Sequence, residues 1–198
     1  MGSREKILQA VRAAGLAPRD RPDLAQPWIE YADRQQQFVA ALQSVGGRCE
    51  VVAQRDEIAA RLAEHPAFAS AKKIVSLLPA LPGNVDLNSI DDPHQLEDVD
   101  FAILPGEFGV AENGAVWATD SGIKHRAIYF IVQHLVLVLP AEQLVHNMHQ
   151  AYERLSLGQR SFGVFISGPS KTADIEQSLV IGAHGPRSMT VFLVSDIA

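Results

Sequence analysis

Between Phe162 and Val194 two short apolar runs enclose a polar segment punctuated by glycine and proline. The first run, Phe162-Gly163-Val164-Phe165-Ile166, is rich in β-branched and aromatic residues and is stopped by Gly168-Pro169, which suits a buried strand better than a helix. Pro169 has no N–H to give to a ladder. Ser170 or Thr172 is able to cap a helix whose first turn then carries Asp174 and Glu176, acids that the helix dipole favours. The expectation is strand, tight turn, helix start. Gly182-Ala183-His184-Gly185-Pro186-Arg187 then reads as a turn that sets an imidazole and a guanidinium just before a second strand, Met189–Val194.

A helix start after a strand presents free backbone N–H groups, and Ser170, Lys171 and Thr172 add hydroxyls and a cation, so either a plain cap or a small-anion site fits these residues. A P-loop does not, because Pro169 and Ser170 intervene between Gly168 and Lys171. The two halves of the segment are expected to face one cleft at a sheet edge, where α/β folds place ligands.

Upstream, Ile7, Leu8 and Val11 recur at helical spacing from Ser3 to about Gly15, and Pro18, Pro22 and Pro27 mark a linker with Trp28 as a candidate anchor. Residues 1–30 are therefore read as an N-terminal helix and linker, and 31–198 as the main domain. Phe38, Val39, Leu42 and Val45 mark one face of a helix from about Tyr31 to Val45, stopped by Gly46-Gly47. Cys49–Ala53, Lys73–Leu78, Val99–Leu104 and Val132–Leu139 read as strands and Asp56–Glu64 as a helix. Ala141–Leu155 reads as a helix burying Leu144, Val145, Met148, Tyr152 and Leu155. Alternating strands and helices predict an α/β fold with a mainly parallel sheet.

Pro79–Asp98 lacks periodicity and is either a lid or a surface excursion, with His94 in it, like His65, solvated. Asn113-Gly114 between apolar residues signals a tight hairpin. Glu112 then stands among Val110, Ala111 and Ala115, a setting that desolvates a carboxylate and raises its pKa. His146 and His149 lie three apart on the predicted helix, but no third ligand has supporting spacing, so a surface pair without metal is expected.

Gly-Pro-Ser-x-Thr-Ala-Asp-Ile-Glu at 168–176, followed by Gly-x-His-Gly-Pro-Arg at 182–187, resembles the signature of the lactate-utilisation protein C family, the LUD-domain proteins. The similarity continues more weakly upstream to about Phe101. Candidate ligand-binding residues are Asn113, Gly168, Ser170, Lys171, Thr172, Asp174, His184 and Arg187. Ala111-Glu112-Asn113-Gly114 is similar to the Ser-Glu-Asn-Gly stretch of coenzyme A transferases, whose glutamate is the nucleophile. Here Ala111 replaces the serine, and the LUD pattern usually has Thr at the place of Asn113 and a hydroxyl residue at that of Ala115. Glu112 is thus a candidate nucleophile toward an acyl-thioester, with Ser170–Thr172 or Arg187 as oxyanion donors, or else a brace for its turn. Ser170, His184 and Asp174 lack the Gly-x-Ser-x-Gly elbow of a hydrolase.

A net charge of −6 and a pI near 5.6 argue against nucleic-acid binding. The single Cys49 excludes an internal disulfide and a cysteine-ligated cluster within this chain, and suits the cytoplasm. Gln133 and His134 interrupt the most apolar stretch, Ala127–Pro140, so no membrane span is expected. No Gly-x-Gly-x-x-Gly follows an early strand, and no cofactor is expected. The resemblance implies a three-layer α/β/α domain of the NagB/RpiA/CoA transferase-like class with a helical N-terminal extension. It also implies a part in oxidising L-lactate to pyruvate beside iron–sulfur partner subunits, as a small-ligand-binding or accessory subunit. An acyl-transfer enzyme and a non-catalytic assembly protein are the alternatives.

Overall fold

The structure, a computed structural model, describes residues 2–15, 20–81, 83–155, 162–172 and 180–195. In chain order, α1 (Ser3–Ala13) and α2 (Arg34–Ser44) precede β1 (Arg48–Val52), α3 (Glu57–Ala63), α4 (Pro66–Ala69), β2 (Ile74–Ser76) and β3 (Phe101–Pro105). There follow β4 (Phe108–Val110), β5 (Ala115–Thr119), α5 (Ile128–Ile131), β6 (His134–Pro140), β7 (Leu144–Val145) and α6 (Met148–Arg154). The last four are β8 (Gly163–Ile166), β9 (Lys171–Thr172), β10 (Val180–Ile181) and β11 (Ser188–Val194).

The unbroken apolar run Leu135–Leu139 belongs to a strand with both neighbours in place and both faces covered. β6 pairs in parallel with β11 on one side and β3 on the other, inside a five-stranded sheet of order β1-β11-β6-β3-β2. Successive side chains alternate between faces. Leu135, Leu137 and Leu139 enter one core with Phe38 and Leu42 of α2 and Ile128 and Tyr129 of α5. Val136 and Val138 enter another with Ile58 and Leu62 of α3, Phe101 and Phe192.

A second, mixed sheet of order β7-β4-β5-β8 lies on the α2 side. Val116 and Ala118 of β5 join the first core, while Phe108, Val110 and Trp117 pack with Val145 and Ala151 on the far face. The α/β class, the parallel central sheet and the helical N-terminal segment agree with the sequence. Among the described residues no helix is long and apolar enough to cross a membrane.

Several local expectations are corrected. The run at Phe162–Ile166 is a strand, but it borders the second sheet, antiparallel to β5. Gly163 permits this, since a Cβ there would stand 2.2 Å from the Trp117 ring. Lys171 and Thr172 pair with Val180 and Ile181 in a two-stranded ribbon, and the helix expected after them lies outside the described residues. Asp174 and Glu176 lie outside the described residues. The expected helix at Ala141–Leu155 is interrupted: Leu144 and Val145 are buried as the short strand β7, and α6 starts afresh where the Asn147 side chain accepts from Gln150 N. Tyr152 is 64% exposed rather than buried. Pro79–Asp98 is pinned down: Leu81, Leu87 and Leu96 are buried, Asp86 and Asp92 cap two 3-10 turns, and Val85 bridges to Val75.

Gly114 closes the β4–β5 hairpin at φ +66°, and a Cβ there would meet Leu42 N at 2.5 Å and Leu42 Cα at 2.7 Å. Both the positive φ and the close approach of helix backbone require glycine. Gly114→Ala should cost at least about 2 kcal/mol and lower the melting temperature by at least about 4 °C, measured by calorimetry.

Candidate functional site

The turn residues of the motif are fastened to one another by backbone bonds. Ser170 N donates to Pro186 O (2.9 Å), Gly182 N donates to Ser170 O (2.9 Å), and Gly185 lies against the Ser170 side chain. The two halves thus meet although their strands are not neighbours, β8 bordering the second sheet and β11 lying inside the central one. Ser167 Oγ donates to the Asn113 carbonyl (2.7 Å), which draws the β4–β5 turn into the same region. Gly168, at φ +75°, sits against the Val45 carbonyl, and Gly46 faces Pro169 and the Lys171 stem. Of the predicted ligand residues, Asn113, Gly168 and Ser170 are therefore brought together. Lys171 and His184 are exposed, Thr172 is half-buried in the ribbon, and Asp174 is outside the described residues.

Glu112 belongs to a different setting from the apolar one expected. It is exposed, its Oε2 accepts from Met148 N (2.8 Å) in the first turn of α6, and its own N donates to His146 O (3.0 Å). A helix start favours a carboxylate through free N–H groups and the dipole. These bonds are those of a brace. The neighbouring histidines fasten the linker. His146 Nδ1 accepts from Tyr31 N, Asn147 Nδ2 donates to Ile29 O, and the His149 ring stacks on Trp28 at 3.5 Å. Among the described residues no group of three or more His, Cys, Asp or Glu is placed to hold a metal. Burial pushes the Cys49 thiol up to about 12, which removes it as a nucleophile.

The motif's Arg187 leads elsewhere. Its stem packs on Gly182, whose φ of +75° and missing Cβ make room for it, and its N donates to Gln133 O (2.8 Å). There it joins Asp98, Asp100, Gln133, His134, Ser70, Ala67 and Ala71 around an open groove of about 480 Å³ at the amino ends of β3, β6 and β11. Register explains the meeting, because Phe101, His134 and Ser188 are partners across the three strands. His134 Nδ1 and Ser188 Oγ are 2.7 Å apart, and its ring stacks on Phe101 at 4.5 Å. Asp100 accepts from Lys72 N (2.7 Å) and Lys73 N (3.0 Å), and the Lys73 bond foremost holds its carboxyl below the usual range. Asp98 pairs with the Lys73 ammonium.

Sequence reasoning passed over His134, which served only to interrupt an apolar run, and over Asp100. The available signal was polar residues directly at the start of fully buried strands. His65, expected in solvent, is half-buried between α3 and α4, 6.0 Å from the His134 ring, with its Nδ1 buried and unpartnered among the described residues.

Burial foremost, then the charges of His65 and Arg187, hold the His134 imidazole below its ordinary value, and Asp100 opposes them. Folded chain therefore binds the His134 proton less readily than unfolded chain. The resulting stability is complete above the unfolded value and is lost as pH falls through the folded one. The melting temperature should decline between about pH 7 and pH 5, and His134→Gln should flatten that part of the curve in a thermal-shift series. An unchanged pH profile in the variant would show that other groups set it.

The LUD domain family model matches residues 86–194, more than half of the chain. Lactate utilization protein C of Halalkalibacterium halodurans is 35% identical over 106 residues, covering 50% of this chain and 46% of that protein. The protein of the same name from Shouchella clausii is 36% identical over 107 residues, covering 52% and 47%. The chain spans about half the length of these curated relatives. The crystal structure of a DUF162 family protein from Deinococcus radiodurans shares the fold, with a TM-score of 0.64 at 15% identity over 84% of this chain and 99% of that one. The match takes in β3, β6 and β11 of the central sheet, the whole second sheet and the interlocked turns, and ends with β11: the chain belongs to the LUD domain family.

Proposed function

We propose that this chain takes part in the oxidation of L-lactate to pyruvate as the small-ligand-binding or accessory member of a cytoplasmic assembly whose iron–sulfur partners carry the electrons. The relatives named lactate utilization protein C support the process. The geometry that supports a ligand-binding role is the interlock of Ser170 with Pro186, which fixes the loop from which Arg187 reaches the groove beside His134 and Asp100. A single, partly buried cysteine cannot ligate an iron–sulfur cluster alone, which is consistent with partner subunits that carry the electrons.

Purified alone, the chain should give no lactate-dependent dye reduction, and activity should require partner subunits. Robust turnover by the isolated chain would overturn the reading.

The bonds of Glu112 favour a brace over acyl transfer. Glu112→Gln should therefore cost only about 0.5–1 kcal/mol, the usual worth of a carboxylate at an exposed helix start. Wild-type protein exposed to acyl-thioesters should show no mass increase at Glu112. A covalent adduct there would restore the transferase reading.

A further inference from the structure

The groove at the amino ends of β3, β6 and β11 has a division of charge that selects a ligand class. In a parallel sheet adjacent strands are about 4.8 Å apart, so Asp100 and Arg187, one residue before partners on β3 and β11 with β6 between, stand about 10 Å apart at the backbone. Gln133 and His134 lie between them, with His134 N donating to Asp100 O (2.9 Å) and Arg187 N donating to Gln133 O. At one end the Arg187 guanidinium has no hydrogen-bond or acid partner among the described residues. At the other, Lys72 and Lys73 N–H groups both bind Asp100 Oδ2 and keep the carboxylate ionised. Oδ1 of Asp100 and Nε2 of His134 have no partner among the described residues.

A planar guanidinium matches a carboxylate through two parallel bonds. An ionised aspartate next to a largely neutral imidazole calls for a donor. Asp98 and Asp100 together disfavour a phosphate, whose second charge would meet them. We propose that this groove binds a small 2-hydroxycarboxylate, its carboxylate on Arg187 and its hydroxyl toward Asp100 and His134. The choice of a hydroxyl over an ammonium rests on the lactate-oxidation reading; the choice of a carboxylate with an adjacent donor does not. The His65 ring stands edge-on to the His134 ring at 6.0 Å.

The test is calorimetric titration of the full chain with L-lactate, L-alanine, propionate and inorganic phosphate, with backbone amide shifts to locate the site. L-lactate should bind with saturation and shift Asp100, Gln133, His134 and Arg187. Propionate, which leaves Asp100 without a donor, should bind about ten-fold more weakly or worse, and phosphate should not compete. Arg187→Met, which keeps the stem on Gly182, should lose about ten-fold or more, and Arg187→Lys should lose less. His134→Gln provides a second variant should either Arg187 change unsettle the loop, and it should also weaken L-lactate. Absent binding, equal binding of propionate or phosphate, tighter binding of L-alanine, or wild-type affinity in Arg187→Met and His134→Gln would each overturn the proposal. The two readings separate cleanly. Lactate bound in the groove while lactate oxidation by the assembled subunits is indifferent to Arg187→Met would sink the functional reading and leave the groove. Oxidation that depends on the chain while the chain binds no lactate would do the reverse.

Discussion

The backbone of β6 is hydrogen-bonded on both edges and covered on both faces, and from that burial the other layers follow. A strand with no exposed side must be apolar throughout, and Leu135–Leu139 is. Its alternation then dictates two cores instead of one. The leucines require α2, α5 and the inner face of the second sheet, and the valines require α3 and the aromatic side chains of Phe101 and Phe192. Partners on either side of β6 are held to a parallel register, and register is what carries order from the core to the rim.

At that rim the strands stop being apolar and polar side chains take over. Asp100, Gln133, His134, Arg187 and Ser188 come from three separate stretches of chain, yet each stands at or just before the first residue of a strand. Their mutual placement is therefore as rigid as the ladder beneath them. The interlocked turns add a second restraint, since Ser170 and Gly182 tether the approach to Arg187 through main-chain bonds.

The central strands were legible because β-branched and apolar runs bounded by glycine, proline or polar residues have few other solutions. The second sheet was legible in part: Asn113-Gly114 marked the β4–β5 hairpin and Phe162–Ile166 a strand, but Leu144–Val145 is too short to show a period, and Leu144, Val145 and Met148 satisfy helical spacing as readily as the strand and restart that occur. The motif marked the loops around Ser170 and Arg187, which backbone bonds hold together. It could not show His134 and Asp100, which join Arg187 only through sheet register, a relation between distant segments. Glu112 was misplaced for a related reason, because apolar neighbours in sequence say nothing about which way a turn faces, and α6 supplies its actual partner.

Among the described residues, β1 is an edge strand whose sole partner in the central sheet is β11, although the chain builds β2, β3 and β6 in between. Until Ser188–Val194 inserts, β1 and β6 confront each other across a gap one strand wide, each with an open edge. Closing a loop over most of the chain is entropically slow. During that interval an extended segment of another molecule competes for the slot on equal hydrogen-bonding terms, so the step that completes the sheet is also the one most exposed to strand exchange between chains.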